Sequence, residues 1–563
     1  MSDCIADNDF PDRPEGDALD LSARILDGEL TAAQAMEQSL DRVRRLNPVV
    51  NAVCYVSAEA GLQAAAQCDR RLAACNAAQR RALAAERPFF GVPTLLEDLG
   101  TAARGLPSTM GSRLCEPAPV HWDHDAELVA RYRRAGLLPF GRSTASELGL
   151  SPTTESPCYG PPTRNPWSLP HSAGGSSGGA AAAVASGMAA LAHASDGCGS
   201  IRIPASCCGL VGLKPSRGMM PMGPYRGEGR GGMGVEHVVT VSVRDSAAAL
   251  DVSAGRDAGA PYASPPGPGT FLAAVQRVMR DAGSVPRLRI AMLGQAAAPG
   301  GLDPEVVAAL ARAVALLQSL GHHVEEGAPA ADAREVLEHM LPVIACNAAL
   351  AVQRLAAPRG ALPASDALQP TVRAMLRYVQ GMDGLQYAGH VDALHAIARR
   401  VARGFDAGRP GGCDLLLSPV LARPPAPIGR YAMDGDDYLD DWLGPAGLIG
   451  YSPFTPIANA TGCPAIAIPV GRSAVGLPIG VQLMAPLGGE SLLLQVAAQV
   501  EQLWPWPRHA PPLRRPAASA PAQGEDAMRR RFPAGSRRAR PAPVRAPARA
   551  GFPAGRPSTS RAG

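Results

Sequence analysis

Only one of the 563 residues is a lysine, Lys214, and the other 53 basic residues are arginines. That scarcity excludes a Walker A phosphate loop at any other position and leaves a single candidate for Schiff-base chemistry. The twelve cysteines include no C-x-x-C pair. Reduced thiols in a cytoplasmic protein are therefore expected, rather than a disulfide framework or a zinc site, and the adjacent Cys207 and Cys208 read as small core residues. No run of 18 residues is continuously apolar, and the opening MSDCIADNDFPDRPEGD is acidic and polar. Neither a transmembrane helix nor a secretory leader is expected. Charged residues make up 18% of the chain against 46% hydrophobic, an ordinary globular balance. The net charge of +4 is unevenly placed: residues 514–563 carry twelve arginines against Glu525 and Asp526, so the rest is mildly acidic. No nucleic-acid or membrane surface is expected from it.

No linker interrupts residues 17–513, which read as a single α/β domain between a disordered opening, 1–16, and a disordered Arg/Pro/Ala-rich tail, 514–563. Leu21–Leu26 reads as a short helix stopped by Gly28, and Thr31-Ala-Ala-Gln34 as a capping box opening a helix that ends at Asn47-Pro48. One long Ala-rich helix is expected over 58–85, then a buried strand at 94–96 ending on Glu97-Asp98. His121-Trp-Asp-His124-Asp125 has the look of a metal cluster, but its spacing better fits an aspartate cap on a helix over 126–135. Further on, strand 289–293, helix 304–320 capped by Asp303 and strand 323–325 form a strand-helix-strand unit, with His322 and His323 expected as solvated loop residues. Residues 330–410 read as helices, and strands follow at 415–417, 465–470 and 479–484 before a last helix over 491–504.

The stretch from His171 to Gly218 carries the chemistry. Gly174, Gly175, Gly178 and Gly179 bracket Ser176 and Ser177; a helix at 180–186 and a strand at 188–194 then deliver the loop Ser195-Asp196-Gly197-Cys198-Gly199-Ser200. Successive N–H groups of that loop can converge on one anionic oxygen beside the Ser200 hydroxyl, the requirement for an oxyanion hole and its nucleophile. A flexible linker does not continue into periodic apolar structure. A nucleophile elbow on Ser176 would need a strand directly before it, where Asn165 to His171 is proline-broken and polar. A dinucleotide loop would need glycine where Arg202 stands.

In order, GGSSGG, SDGCGSIRIP and CCGLVGLKPSRG resemble the amidase signature family, and GVPTLLEDLG, TRNPWS, TPIANATGCPAIAIPV and GLPIGVQLMAP extend the resemblance over about residues 17–513. SDGxGSIRIPAS and PTLLEDLG are most similar to its branch of 6-aminohexanoate cyclic dimer hydrolases. The resemblance implies an α/β amidase signature fold: a large mixed central β-sheet covered by helices on both faces. It also implies a cytoplasmic amide hydrolase that uses no cofactor or metal, acts on a small-molecule amide and could form a homodimer. Ser200 matches the family's nucleophile and Ser176 its cis-peptide serine. Gly197, Cys198, Gly199 and Ser177 fall at oxyanion and substrate contacts, and water would release the acyl group. The family's triad lysine, however, is replaced by Glu97. Lesser departures are Cys198 for glycine, Ala173 for proline and Val241 for arginine. A carboxylate can accept a proton, but its charge opposes the oxyanion; being shorter than lysine, it is expected to reach Ser176 through a water. Two functions follow from these residues: an amidase impaired at Glu97, or a catalytically inactive homologue that binds a ligand or partner. A transferase subunit making Gln-tRNA fits less well, because that branch carries glutamine where Ile203 stands.

Overall fold

A computed structural model of the chain describes residues 16–513 apart from 117, 266–269, 295–297, 328–329, 358–365 and 409–410. Residues 1–15 of the expected disordered opening, and all of the tail, lie outside the described residues.

The described strands, in chain order, are β1 (Val53–Val56), β2 (Pro93–Glu97), β3 (Leu138–Ser143), β4 (Arg164–Asn165), β5 (Ser168–Ser172), β6 (Leu191–Asp196), β7 (Val211–Lys214), β8 (Val235–Thr240), β9 (Arg289–Met292), β10 (His323–Glu326), β11 (Leu415–Pro419), β12 (Ala465–Arg472) and β13 (Pro478–Met484). Eleven of them form one mixed sheet in the order β1-β3-β2-β6-β8-β7-β12-β13-β11-β9-β10. The pairs β3/β2, β2/β6, β13-side β11/β9 and β9/β10 are parallel, and the rest antiparallel. The remaining two, β4 and β5, make a separate antiparallel ribbon.

Adjacent residues on a strand face opposite sides, so a sheet covered on both faces is apolar at successive positions. On β2, Leu95 and Leu96 are both fully buried but belong to different hydrophobic clusters. A third cluster is built by the helices Ala333–Ala356, Pro370–Gln380 and Gly384–Ala402 with Leu148, Met233 and Tyr438, and Cys198 packs against it. The helix Ala333–Ala356 is long and apolar enough to cross a membrane by composition, but just over half of its most apolar stretch is buried inside the fold. Val336, Leu337, Met340 and Leu341 account for much of that contact.

Several boundaries differ from the sequence reading for local reasons. Pro48 does not end its helix, which runs to Val50 and closes on Asn51 at φ 53. The expected helix over 58–85 is two, Ala58–Ala73 and Ala77–Glu86, because Asn76 and Gln79 form a second capping box. The helix Glu127–Arg134 has no side-chain cap. Asp125 instead accepts the Arg104 N–H at 2.8 Å and pairs with Arg133 at 3.0 Å. His322 is buried, bonded to Gln499 and the Leu288 N–H, whereas His323 is exposed on β10. The residues before GGSSGG do form a strand, β5, though it stays outside the main sheet, pairing with β4 and bridging from His171 to Pro427.

Candidate active site

Two parallel neighbours, β2 and β6, end at the same edge of the sheet, where open α/β sheets place ligands. Glu97 closes β2 and Asp196 closes β6. The GGSSGG turn meets that edge from the side and opens the helix Gly178–Ala185, every residue of which is buried. The close approach explains the glycines: a Cβ on Gly179 would lie 2.3 Å from Thr144 Oγ1 and 2.4 Å from its backbone nitrogen. The Gly175–Ser176 peptide bond is cis, as the family resemblance implies.

Glu97 is fully buried and is reached directly by both serines of the pair. Its Oε1 accepts from Ser176 Oγ at 3.2 Å and from Ser177 Oγ at 2.7 Å, so no bridging water is needed. The expectation of an intervening water is corrected, because the turn carries Ser176 down onto the carboxylate. Ser177 Oγ also lies 3.2 Å from the Ser195 carbonyl and accepts the Ser195 N–H. Fully buried and turned toward Glu97, its hydroxyl holds that carboxylate rather than facing an open cleft. The other oxygen, Oε2, is buried without a hydrogen-bond partner among the described residues. Burial pushes the Glu97 carboxyl above the ordinary glutamate value, while His193 and the hydrogen bonds at 176, 177 and 195 pull the other way.

Behind Glu97 lies His193, whose Nδ1 accepts the Glu97 N–H at 3.2 Å. The opposite nitrogen, Nε2, faces Glu236 at 3.3 Å, so the bonding pattern places a proton on Nε2. His193 and Glu236 hold the glutamyl backbone in place from the sheet side. Sequence reasoning missed both, since nothing in A-H-A-S or V-E-H-V marks a long-range pair.

The serine loop is pinned by Asp196. Its carboxylate accepts from Arg202 at 2.9 and 3.1 Å, from Asn459 at 2.9 Å, and from the N–H groups of Gly199 at 2.7 Å and Ile201 at 3.2 Å. Burial alone would raise its pKa, but Arg202, Lys214 and Asn459 hold it below the ordinary aspartate value. The Gly199 N–H is therefore committed to Asp196 and not to an oxyanion. The N–H groups of Gly197, Cys198 and Ser200 have no acceptor among the described residues. Gly199 itself has φ 124, and a Cβ there would meet Thr455 Oγ1 at 2.4 Å, so glycine is required.

Ser200 is 8% exposed, and its hydroxyl makes no hydrogen bond to another described residue. No hydrogen bond joins it to Ser176; such catalytic contacts are commonly long in an unliganded site and close with substrate. The thiol of Cys198 is enclosed although the residue as a whole is half-buried, and burial with Asp196 nearby pushes it up to about 12. It stays protonated at neutral pH and is a poor nucleophile there. Lys214 is distant in role: buried, and lowered to about 7 by burial, it donates to the Pro215 carbonyl. Cys207 and Cys208 are fully buried core residues, as read from the sequence. Among the described residues no group of three or more His, Cys, Asp or Glu side chains is placed to hold a metal ion.

The family model described as Amidase matches residues 34–494. The 6-aminohexanoate-cyclic-dimer hydrolase of a Pseudomonas strain is 35% identical over 90% of this chain and 98% of its own length. The putative amidase AmiC of Mycobacterium tuberculosis is 34% identical over 88% of this chain and 96% of its own. Among solved structures, a 6-aminohexanoate cyclic dimer hydrolase superposes with a TM-score of 0.77 at 33% identity, over 87% of this chain and 97% of that one. A bacterial aryl acylamidase of the amidase signature enzymes gives 0.75 at 25% identity, over 87% and 96%. With sequence and fold in agreement, the chain belongs to the amidase signature family of amide hydrolases.

Proposed function

We propose that this chain cleaves the C–N bond of a small amide through an acyl-enzyme on Ser200, with Glu97 as a slow base in place of a lysine. The observation that supports it most is the direct Ser176–Glu97 contact at 3.2 Å beside a loop whose Ser200 hydroxyl has no competing partner. In the first step Ser200 Oγ attacks the carbonyl carbon and passes its proton to Ser176, whose own proton moves to Glu97 Oε1. The oxyanion is held by the N–H groups of Gly197, Cys198 and Ser200. On collapse the proton returns from Glu97 through Ser176 to the leaving nitrogen, the C–N bond breaks, and an ester on Ser200 remains. Water then attacks that ester and releases the acid.

Glu97 accepts a proton only when ionised, and burial favours its neutral form. When ionised it brings a second negative charge toward the oxyanion. Both effects reduce the rate relative to a neutral lysine, which becomes a cation as the oxyanion forms. The names of the relatives make linear and cyclic amides of ω-amino acids the first substrates to try.

The unpartnered Oε2 and the raised pKa of Glu97 also favour a second reading, a homologue that binds without turnover. A panel of small linear and cyclic amides, incubated with the parent chain and with Ser200→Ala, separates the two. Slow turnover abolished by Ser200→Ala supports hydrolysis; parent rates retained in Ser200→Ala contradict it. Amide binding without turnover in the parent supports the second reading.

A further inference from the structure

A cation that no sequence motif announces lies across the serine loop. Arg230 sits in the connection before β8, which pairs antiparallel with β6 and so begins at the edge where Asp196 ends. Its backbone has φ 52, a left-handed conformation uncommon for arginine. The guanidinium is anchored on the neighbouring turn: Nη2 donates to the carbonyls of Leu148 at 2.6 Å and Gly149 at 3.0 Å. Its stem covers Gly197, where an added Cβ would lie 2.5 Å from Arg230 Cδ and 2.8 Å from Nε. An added Cβ on Gly149 would lie 2.6 Å from Arg230 Nη2 and 3.5 Å from Ser176 Oγ. One guanidinium thus borders both the oxyanion loop and the relay serine.

Its charge is not neutralised by a carboxylate. Among the described residues Arg230 forms no ion pair, and its Nε and Nη1 have no hydrogen-bond partner. Burial lowers its pKa, with Tyr438, Cys198 and Glu97 opposing and Arg226 reinforcing the shift, but a guanidinium starts so high that it remains charged. A partly enclosed, unpaired cation is costly unless an anion arrives. During acyl transfer an anion does arrive, at the carbonyl oxygen held beside Gly197. The base on the other side is a carboxylate, so the site otherwise gathers only negative charge.

We propose that Arg230 is the cation of this active site, stabilising the oxyanion at the Gly197–Ser200 loop and offsetting the charge of Glu97. The inference rests on the reading of Ser200 as nucleophile. Arginine keeps its charge at every working pH, so the stabilisation is always in place, and its anchoring on the two carbonyls fixes it before substrate arrives.

Phenylboronic acid tests this without requiring turnover. Ser200 Oγ adds to boron as its proton passes through Ser176 to Glu97, and the tetrahedral adduct carries the negative charge of the intermediate. Binding to the full chain is measured by calorimetry for the parent, Ser200→Ala, Arg230→Gln and Arg230→Lys, with thermal melts confirming that each is folded. Ser200-dependent binding that weakens at least about 10-fold in Arg230→Gln and recovers in part in Arg230→Lys is expected. Equal affinities in the parent and Arg230→Gln overturn the proposal while leaving the nucleophile intact. A loss seen only with 3-carboxyphenylboronic acid also overturns it, because the cation would then be reading a substrate carboxylate. Absence of Ser200-dependent binding in the parent overturns the nucleophile reading itself, and the proposal with it.

Discussion

Glu97→Lys replaces a buried carboxylate by an amine one atom longer, at a position where two serine hydroxyls already converge. An Nζ near the present Oε1 would meet Ser176 Oγ, Ser177 Oγ and the Ser195 carbonyl that Ser177 now occupies. Those groups suit an amine at least as well as a carboxylate, since two hydroxyls can turn to donate or accept and the carbonyl accepts. A correctly placed general base contributes about 10²- to 10⁴-fold, equivalent to roughly 3–5 kcal/mol of barrier. Part of that is already supplied by Glu97, because its contact with Ser176 is direct, and Arg230 disfavours a second cation nearby. A gain of about 10²-fold in kcat is therefore the expected size. The assay is release of amine from a panel of linear and cyclic amides by the parent and the variant at matched pH, with melting curves for both. A parent chain already as fast as a folded Glu97→Lys variant would refute the argument from charge and make Glu97 a competent base.

Two further outcomes follow from packing and burial. Gly179→Ala would drive a methyl group to within 2.4 Å of the Thr144 backbone and is expected to destabilise the fold by about 1–3 kcal/mol in urea unfolding; an unchanged midpoint would mean the turn can move away. Glu147, buried and bonded to Ser112 and the Gln369 N–H, is raised by burial from 4.5 to about 7. Its folded form binds the proton more tightly, so its contribution is fully present below about 4.5 and is lost as pH rises through 7, by at most about 3 kcal/mol. Glu147→Gln should flatten the stability slope between pH 5 and 8, and an unaltered slope would contradict the assignment.

Local chemistry was legible wherever the sequence contained its own instruction. The helix Pro304–Ser319 begins on Asp303 as its cap and proline sequence predicts, and the helix Ala32–Val50 opens on the Thr31 capping box. Errors arose where two local signals compete: Asn76 and Gln79 cap a new helix inside an alanine-rich run that reads as continuous. The family resemblance singled out Glu97, Ser176 and Ser200 as candidates, but not which hydroxyl faces which carboxylate. That depends on the Gly179–Thr144 approach, between residues 35 positions apart in sequence. The same is true of Asp196, whose partners Arg202 and Asn459 come from a neighbouring turn and from far along the chain. Strand order is the extreme case. The β8 strand inserts between β6 and β7, and this brings Arg230 over Gly197 without leaving any periodicity that a sequence reading could use.

The central claim, that Ser200 is the nucleophile, is tested most directly by mapping the adduct of a fluorophosphonate probe on the full chain by mass spectrometry. Ser200 Oγ would displace fluoride and form the new P–O bond, whether or not Glu97 supports rapid deacylation. The account predicts a single phosphonylated peptide bearing the adduct on Ser200, with labelling lost in Ser200→Ala. An adduct on Ser176, Ser177 or Cys198, or an unmodified chain after prolonged exposure to excess probe, would contradict it.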